Sequence, residues 1–170
     1  MLKLMGSFLL AGGAAYLGFS ATARLERRVR TLRTLLGALE LLERELAFRL
    51  TPMPALLERL AKQTQPPVSA FFARCLDGLS DLGERTLSDL WNEALESVPM
   101  DLGQEDLLIL RELGGILGRY DGEGQGEALA LAQARLGQCL TSAAEERTRL
   151  GRVYGALGLS VGALLVILLL

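Results

Sequence analysis

Residues 24–50 read RLERRVRTLRTLLGALELLERELAFRL, and this stretch decides the fold class. Leu25, Val29, Leu32, Leu36, Leu39, Leu46 and Leu50 recur in alternating steps of four and three, which places them along one side of a single long helix. Only Glu43 interrupts the series. A carboxylate on an apolar stripe needs a cap or a polar group from a neighbouring helix, or else it faces a partner protein. Glu40 with Arg44 and Glu45 with Arg49 are spaced as exposed (i, i+4) ion pairs and read as a solvated face.

On the N-terminal side of this helix no charge occurs from residue 4 to residue 23, and at the other end none occurs from 153 to 170. Each stretch suffices to cross a hydrocarbon layer of about 30 Å as a helix. The sequence therefore predicts two membrane helices, 1–23 and 153–170, around a helical domain of residues 24–152. A cleavable secretory signal is the rival reading of the first stretch, since Ala21-Thr22-Ala23 would serve as its cleavage site. The five arginines between Arg24 and Arg33 oppose translocation there and favour a retained anchor.

Arg24, Arg27, Arg28, Arg30 and Arg33 flank the first stretch, and Arg147, Arg149 and Arg152 flank the second. The outer flanks offer only Lys3 and the amino terminus. By the positive-inside rule the domain faces the cytoplasm and both termini lie across the membrane. Within the second stretch Gly151, Gly155, Gly158 and Gly162 share one helix face, with Ala11, Ala15, Gly18 and Thr22 as a looser counterpart in the first. Such seams allow close helix approach in lipid, although glycine is also simply frequent in membrane helices.

The composition excludes most chemistry. Histidine is absent, and the two cysteines, Cys75 and Cys139, are far apart in the chain, which removes His-based triads, His/Cys metal clusters and CxxC redox motifs. They read as reduced core residues of a cytosolic domain. No cofactor is expected. Basic clusters beside the membrane stretches suit anionic lipid rather than nucleic acid.

Inside the domain, Thr51 as N-cap with Pro52 at the first helical position opens a short helix to about Lys62. Gln65-Pro66-Pro67 breaks it. A third helix runs from Val68 to about Leu79 with Phe71, Phe72 and Cys75 as core, and a turn follows to Arg85. Thr86 or Ser88 caps a fourth helix through Trp91, a packing anchor, to Ser97. Asp101 with Gln104 offers a capping pair for a fifth helix to about Tyr120, and the last starts near Glu123 and continues past Arg152. The expected fold is all-α, an antiparallel six-helix bundle.

The run Arg119-Tyr120-Asp121-Gly122-Glu123-Gly124-Gln125-Gly126 has the glycine rhythm of a phosphate loop but lacks a lysine and carries three acids with Glu127. Asp121 is better read as an N-cap, with a divalent ion at Asp121 and Glu123 as a further possibility. Paired carboxylates such as Glu43 with Glu45 have no nucleophile in evident reach.

Several stretches then fit together: Leu42-Glu43-x-Glu45-Leu46-x-Phe48, Thr51-Pro52-Met53, Leu117-Gly118-x-x-Asp121-x-x-x-Gln125, and Tyr154-x-x-Leu157-Gly158 before an apolar tail. Together they resemble the stage III sporulation protein AB family of endospore-forming bacteria over essentially the whole chain. Met53 departs from the usual Leu, and the glycines around Asp121 loosen that motif. The resemblance implies a bundle similar to the platform domain of type II secretion and type IV pilus inner-membrane proteins. It also implies a non-enzymatic component of a channel complex linking mother cell and forespore, alongside a secretion-type ATPase and ring-forming proteins. The bundle would then face the mother-cell cytoplasm from the outer forespore membrane. The reading that needs no family is a regulatory or sensing membrane protein whose bundle binds a soluble partner.

Helices of about 27 residues place the ends of the first and last bundle helices roughly 40 Å from the bilayer. Thr51, Pro52, Tyr120, Asp121 and Gln125 lie at those ends with Glu43 one or two turns below, so this tip is the expected partner site. The seams are expected to pack the two spans on each other or on partner helices, and a homo-oligomer is a further expectation.

Overall fold

The computed structural model describes the backbone of residues 2–48, 51–79, 85–117 and 122–169; in the first and last helices it describes the side chains of 22–47, 124–154 and 156. Among the described residues six helices follow one another: α1 (Leu2–Phe48), α2 (Met53–Gln63), α3 (Val68–Gly78), α4 (Leu87–Ser97), α5 (Gln104–Leu117) and α6 (Gly122–Leu169). No strand occurs among the described residues. The chain divides into two compact units, one of residues 28–141 and one of 1–27 with 142–170.

In the unit 28–141 each short helix buries a stripe at helical spacing. Leu56, Leu57 and Leu60 do so on α2, and Val68, Phe71, Phe72 and Cys75 on α3. Helix α4 starts at a reciprocal cap: the Asp89 amide donates to the Thr86 hydroxyl, and the Thr86 amide donates to the Asp89 carboxylate at 3.0 Å. The indole of Trp91 stands edge-on to Phe71, ring centres 4.8 Å apart, and its Nε1–H donates to the Leu110 carbonyl at 2.8 Å. That bond removes the cost of burying the one polar atom of the ring. The flat side of the indole is accommodated by Gly114, where a Cβ would fall 2.3 Å from Trp91 Cδ1.

The buried face of α1 differs from the expected seam. Val29, Leu32 and Leu39 are buried as expected, but Leu36 and Leu46 are only half-buried, whereas Leu35, Ala38 and Leu42 are closed off. The reason is that α1 meets three elements, through Arg28 to α5, Glu45 to α2 and Glu43 to α6. A helix covered from several directions buries a broad arc rather than a two-position seam.

In the other unit, α1 and α6 are joined by Arg147 and Glu26 at 3.1 Å. No helix is long and apolar enough to cross a membrane among the described residues. The side chains of 1–21 and 157–170, and with them most of both expected spans, lie outside those residues.

Candidate functional site

The α1–α2 corner is built on Glu45. The residue is 5% exposed, and its carboxylate accepts from the Thr51 hydroxyl at 2.8 Å and from Arg59 Nη1 on α2 at 2.7 Å. Two sequence expectations are corrected here. Glu45 does not belong to a solvated face, and Thr51 does not cap α2: the N-cap is Pro52, without a side-chain bond, and the Pro52 carbonyl accepts from the Leu56 amide at 3.1 Å. The Thr51 hydroxyl is drawn back to α1 because a buried carboxylate needs more than one donor to offset its desolvation.

Glu43, also on α1, accepts from Gln133 Nε2 on α6 at 2.8 Å, so the interruption of the apolar stripe meets a polar group on a neighbouring helix. Gln125 donates through Nε2 to the Leu117 carbonyl at 3.2 Å, spanning from α6 to the end of α5 and satisfying a helix-terminal acceptor. Tyr120 and Asp121 lie between these two residues and outside the described residues, as does the Glu123 side chain. Among the described residues, therefore, Glu43, Thr51, Pro52 and Gln125 are seen at three inter-element junctions: α1 with α2, α1 with α6, and α5 with α6.

A fourth polar junction, not singled out by sequence spacing, lies between α1 and α5. Asp106 is fully buried and receives Arg28 Nε at 2.7 Å, Arg28 Nη2 at 2.9 Å and the Gly103 amide at 2.7 Å. Burial alone would raise its carboxyl. The Arg28 fork, the Gly103 amide, the Arg28 charge and the Cys139 thiol outweigh burial and hold it below the ordinary carboxylate range. Cys139 is in turn pushed up to about 11 by burial and then by Asp106, and burial pushes Cys75 up to about 12. Both thiols are free and protonated at neutral pH, which makes them poor nucleophiles. The Asp106–Gly103 bond does the work expected of the Asp101–Gln104 pair at the start of α5. The available signal was positional: residue 106 falls on the same apolar stripe as Ile109, Leu110 and Leu113.

At the surface, Arg74 and Arg85 both pair with Glu93, whose carboxyl is lowered mainly by its bond to Arg85. No group of acids and cysteines able to hold a metal ion occurs among the described residues. A Cβ at Gly151 would meet nothing within 4 Å. The surroundings of Gly155, Gly158, Gly162, Ala11, Ala15 and Gly18 lie outside the described residues.

What this arrangement does chemically is hold helices in register, since each buried or half-buried carboxylate among the described residues faces a donor from another element. The class so defined is an all-helical bundle protein whose polar side chains fasten one helix to the next. The chain belongs to the stage III sporulation protein AB family, whose sequence model matches residues 3–170. It is 29% identical over 172 residues to stage III sporulation protein AB of Bacillus subtilis (strain 168), with both chains covered in full. A solved structure of stage III sporulation protein AB (SpoIIIAB) superposes with a TM-score of 0.65 at 27% identity, covering 72% of this chain and 98% of that one.

Proposed function

We propose that the chain is a membrane-anchored, non-enzymatic scaffold of a sporulation channel complex between mother cell and forespore. It couples a cytosolic secretion-type ATPase to the membrane assembly. The observation that carries this reading is the family match over residues 3–170, which takes in both uncharged ends as well as the bundle. In this reading 4–23 and 153–170 cross the outer forespore membrane, the bundle lies in the mother-cell cytoplasm, and the glycine face of α6 packs on another helix or a second copy of the chain.

The partner site is the end of the bundle carrying Thr51, Pro52, Tyr120, Asp121 and Gln125. Support comes from the α1–α2 corner, where Glu45, Thr51 and Arg59 are mutually bonded and fix the local backbone. A fixed corner loses little entropy on docking.

The test is co-purification of the intact protein from sporulating cells in mild detergent, beside Tyr120→Ala. The wild type is expected to bring down a secretion-type ATPase, and the variant to lose it at unchanged melting temperature. An ATPase absent from the wild-type preparation would overturn the scaffold reading. Its retention by the variant would remove the tip from the interface.

A further inference from the structure

In the unit formed by 1–27 with 142–170, the charges are sorted along the helices. Glu26 is engaged by Arg147, and the remaining described acids of the unit, Glu145 and Glu146, lie on the bundle side of that pair in sequence. Toward the two uncharged stretches the next charged side chains are Arg24 on α1 and Arg149 and Arg152 on α6, all three exposed. None of these three guanidiniums meets a carboxylate among the described residues.

Directly beyond Arg152, Val153 is 47% and Tyr154 38% exposed. An exposed aliphatic side chain beside a phenol, bordered on one side by guanidiniums and on the other by an uncharged stretch, has a specific chemistry. The aliphatic group and the phenol ring suit the acyl boundary, the phenol hydroxyl suits the wet headgroup layer, and the fork of donors on each arginine suits phosphate oxygens.

We infer that Arg24, Arg149, Arg152 and Tyr154 form a binding collar for the headgroups of anionic phospholipids. This rests on the reading of 4–23 and 153–170 as spans, and it adds that the protein selects its lipid. Guanidinium forks match phosphate monoanions, and a net-anionic headgroup presents one without the choline cation that would repel the arginines. An acidic protein segment would satisfy the guanidiniums but gives no role to the exposed Val153 and the ring of Tyr154 beside them.

The experiment uses the full-length protein in nanodiscs at one ionic strength, with equimolar phosphatidylglycerol and phosphatidylcholine, and reads the lipids retained by native mass spectrometry. The wild type should retain phosphatidylglycerol at least about tenfold over phosphatidylcholine, from contributions of roughly fivefold per arginine. The triple variant Arg24→Gln, Arg149→Gln, Arg152→Gln should retain both alike, while Arg44→Gln with Arg111→Gln, in the unit 28–141, keeps the preference. Circular dichroism of the triple variant checks that it is folded.

A preference that survives in the triple variant, or is absent from the wild type, overturns the collar. Displacement of the lipid by soluble polyglutamate would also overturn it and make these arginines a protein-docking site. Carbonate extraction keeps the two readings apart: a chain released from membranes refutes the anchor, whereas a retained chain without lipid preference refutes only the collar.

Discussion

Arg28 on α1 holds Asp106 on α5 through both Nε and Nη2, at 2.7 and 2.9 Å, across 78 positions of the chain. The carboxylate is wholly buried and the guanidinium side chain 23% exposed. Removing one partner of such a pair leaves the other charge desolvated and unmatched. Arg28→Met, which leaves Asp106 without its cation, is expected to cost about 3 kcal/mol in urea unfolding. The double variant Arg28→Met, Asp106→Leu should recover much of that loss. A double variant at least as unstable as the sum of the single changes would show that the two do not act as a pair.

The same junction predicts a pH dependence. Asp106 is depressed in the folded chain relative to its ordinary value of 3.8, so folding favours its ionised form. Its contribution is fully present above the unfolded carboxyl value and is lost as pH falls through the lower folded value. The stability gap between wild type and Asp106→Asn should be constant from pH 7 to about pH 5 and shrink below about pH 4. Urea midpoints at pH 7, 5 and 3 would check this, and a gap that widens in acid would contradict it.

Gly114 and Gly115 are neighbours in α5 with opposite surroundings. A Cβ at 114 would meet Trp91 Cδ1 at 2.3 Å, whereas one at 115 would meet nothing within 4 Å. Gly114→Ala should therefore destabilise by about 1–3 kcal/mol through overpacking and shift the indole fluorescence. Gly115→Ala should stabilise by roughly 0.5–1 kcal/mol through the helix backbone alone. Equal effects at the two positions would mean that Trp91 moves aside freely.

Thr51 tests what its hydroxyl is for. An N-cap would tolerate Asp, which caps as well as Thr. A donor to the Glu45 carboxylate would not, because Asp brings a second negative charge to within reach of the first. Thr51→Asp is expected to lower stability by more than Thr51→Val, which loses one hydrogen bond to a charged group and costs about 1.5–3 kcal/mol. The reverse order in thermal melts would restore the capping role.

These sites also show what spacing reveals and what it hides. The Thr86 cap, the buried stripe of Val68, Phe71, Phe72 and Cys75 on α3, and the unbroken course of α6 depend on residues a few positions apart, and the sequence carries them openly; that Trp91 stacks edge-on against Phe71 is a contact only the fold reveals. Glu45 was misleading because the familiar spacing of four to Arg49 reads as a solvated face, whereas its carboxylate is buried and takes Thr51 and Arg59, from the next stretch of chain and the next helix. Arg28 and Asp106 gave no joint signal, since nothing in the sequence indexes two residues brought together only by packing. Glu43 sits between these cases: its place on an apolar stripe demanded a partner, but only the fold identifies Gln133.

The close fit of Gly114 beneath Trp91 sets an order on how this sequence can drift. A lineage acquiring any larger residue at 114 while the indole is in place passes through a strained bundle. One that first trims 91 to a smaller side chain leaves a void that a methyl group at 114 then fills. The fit couples the two positions in space, so where a relative carries Ala or Ser at 114, a smaller residue at 91 is the expected companion change.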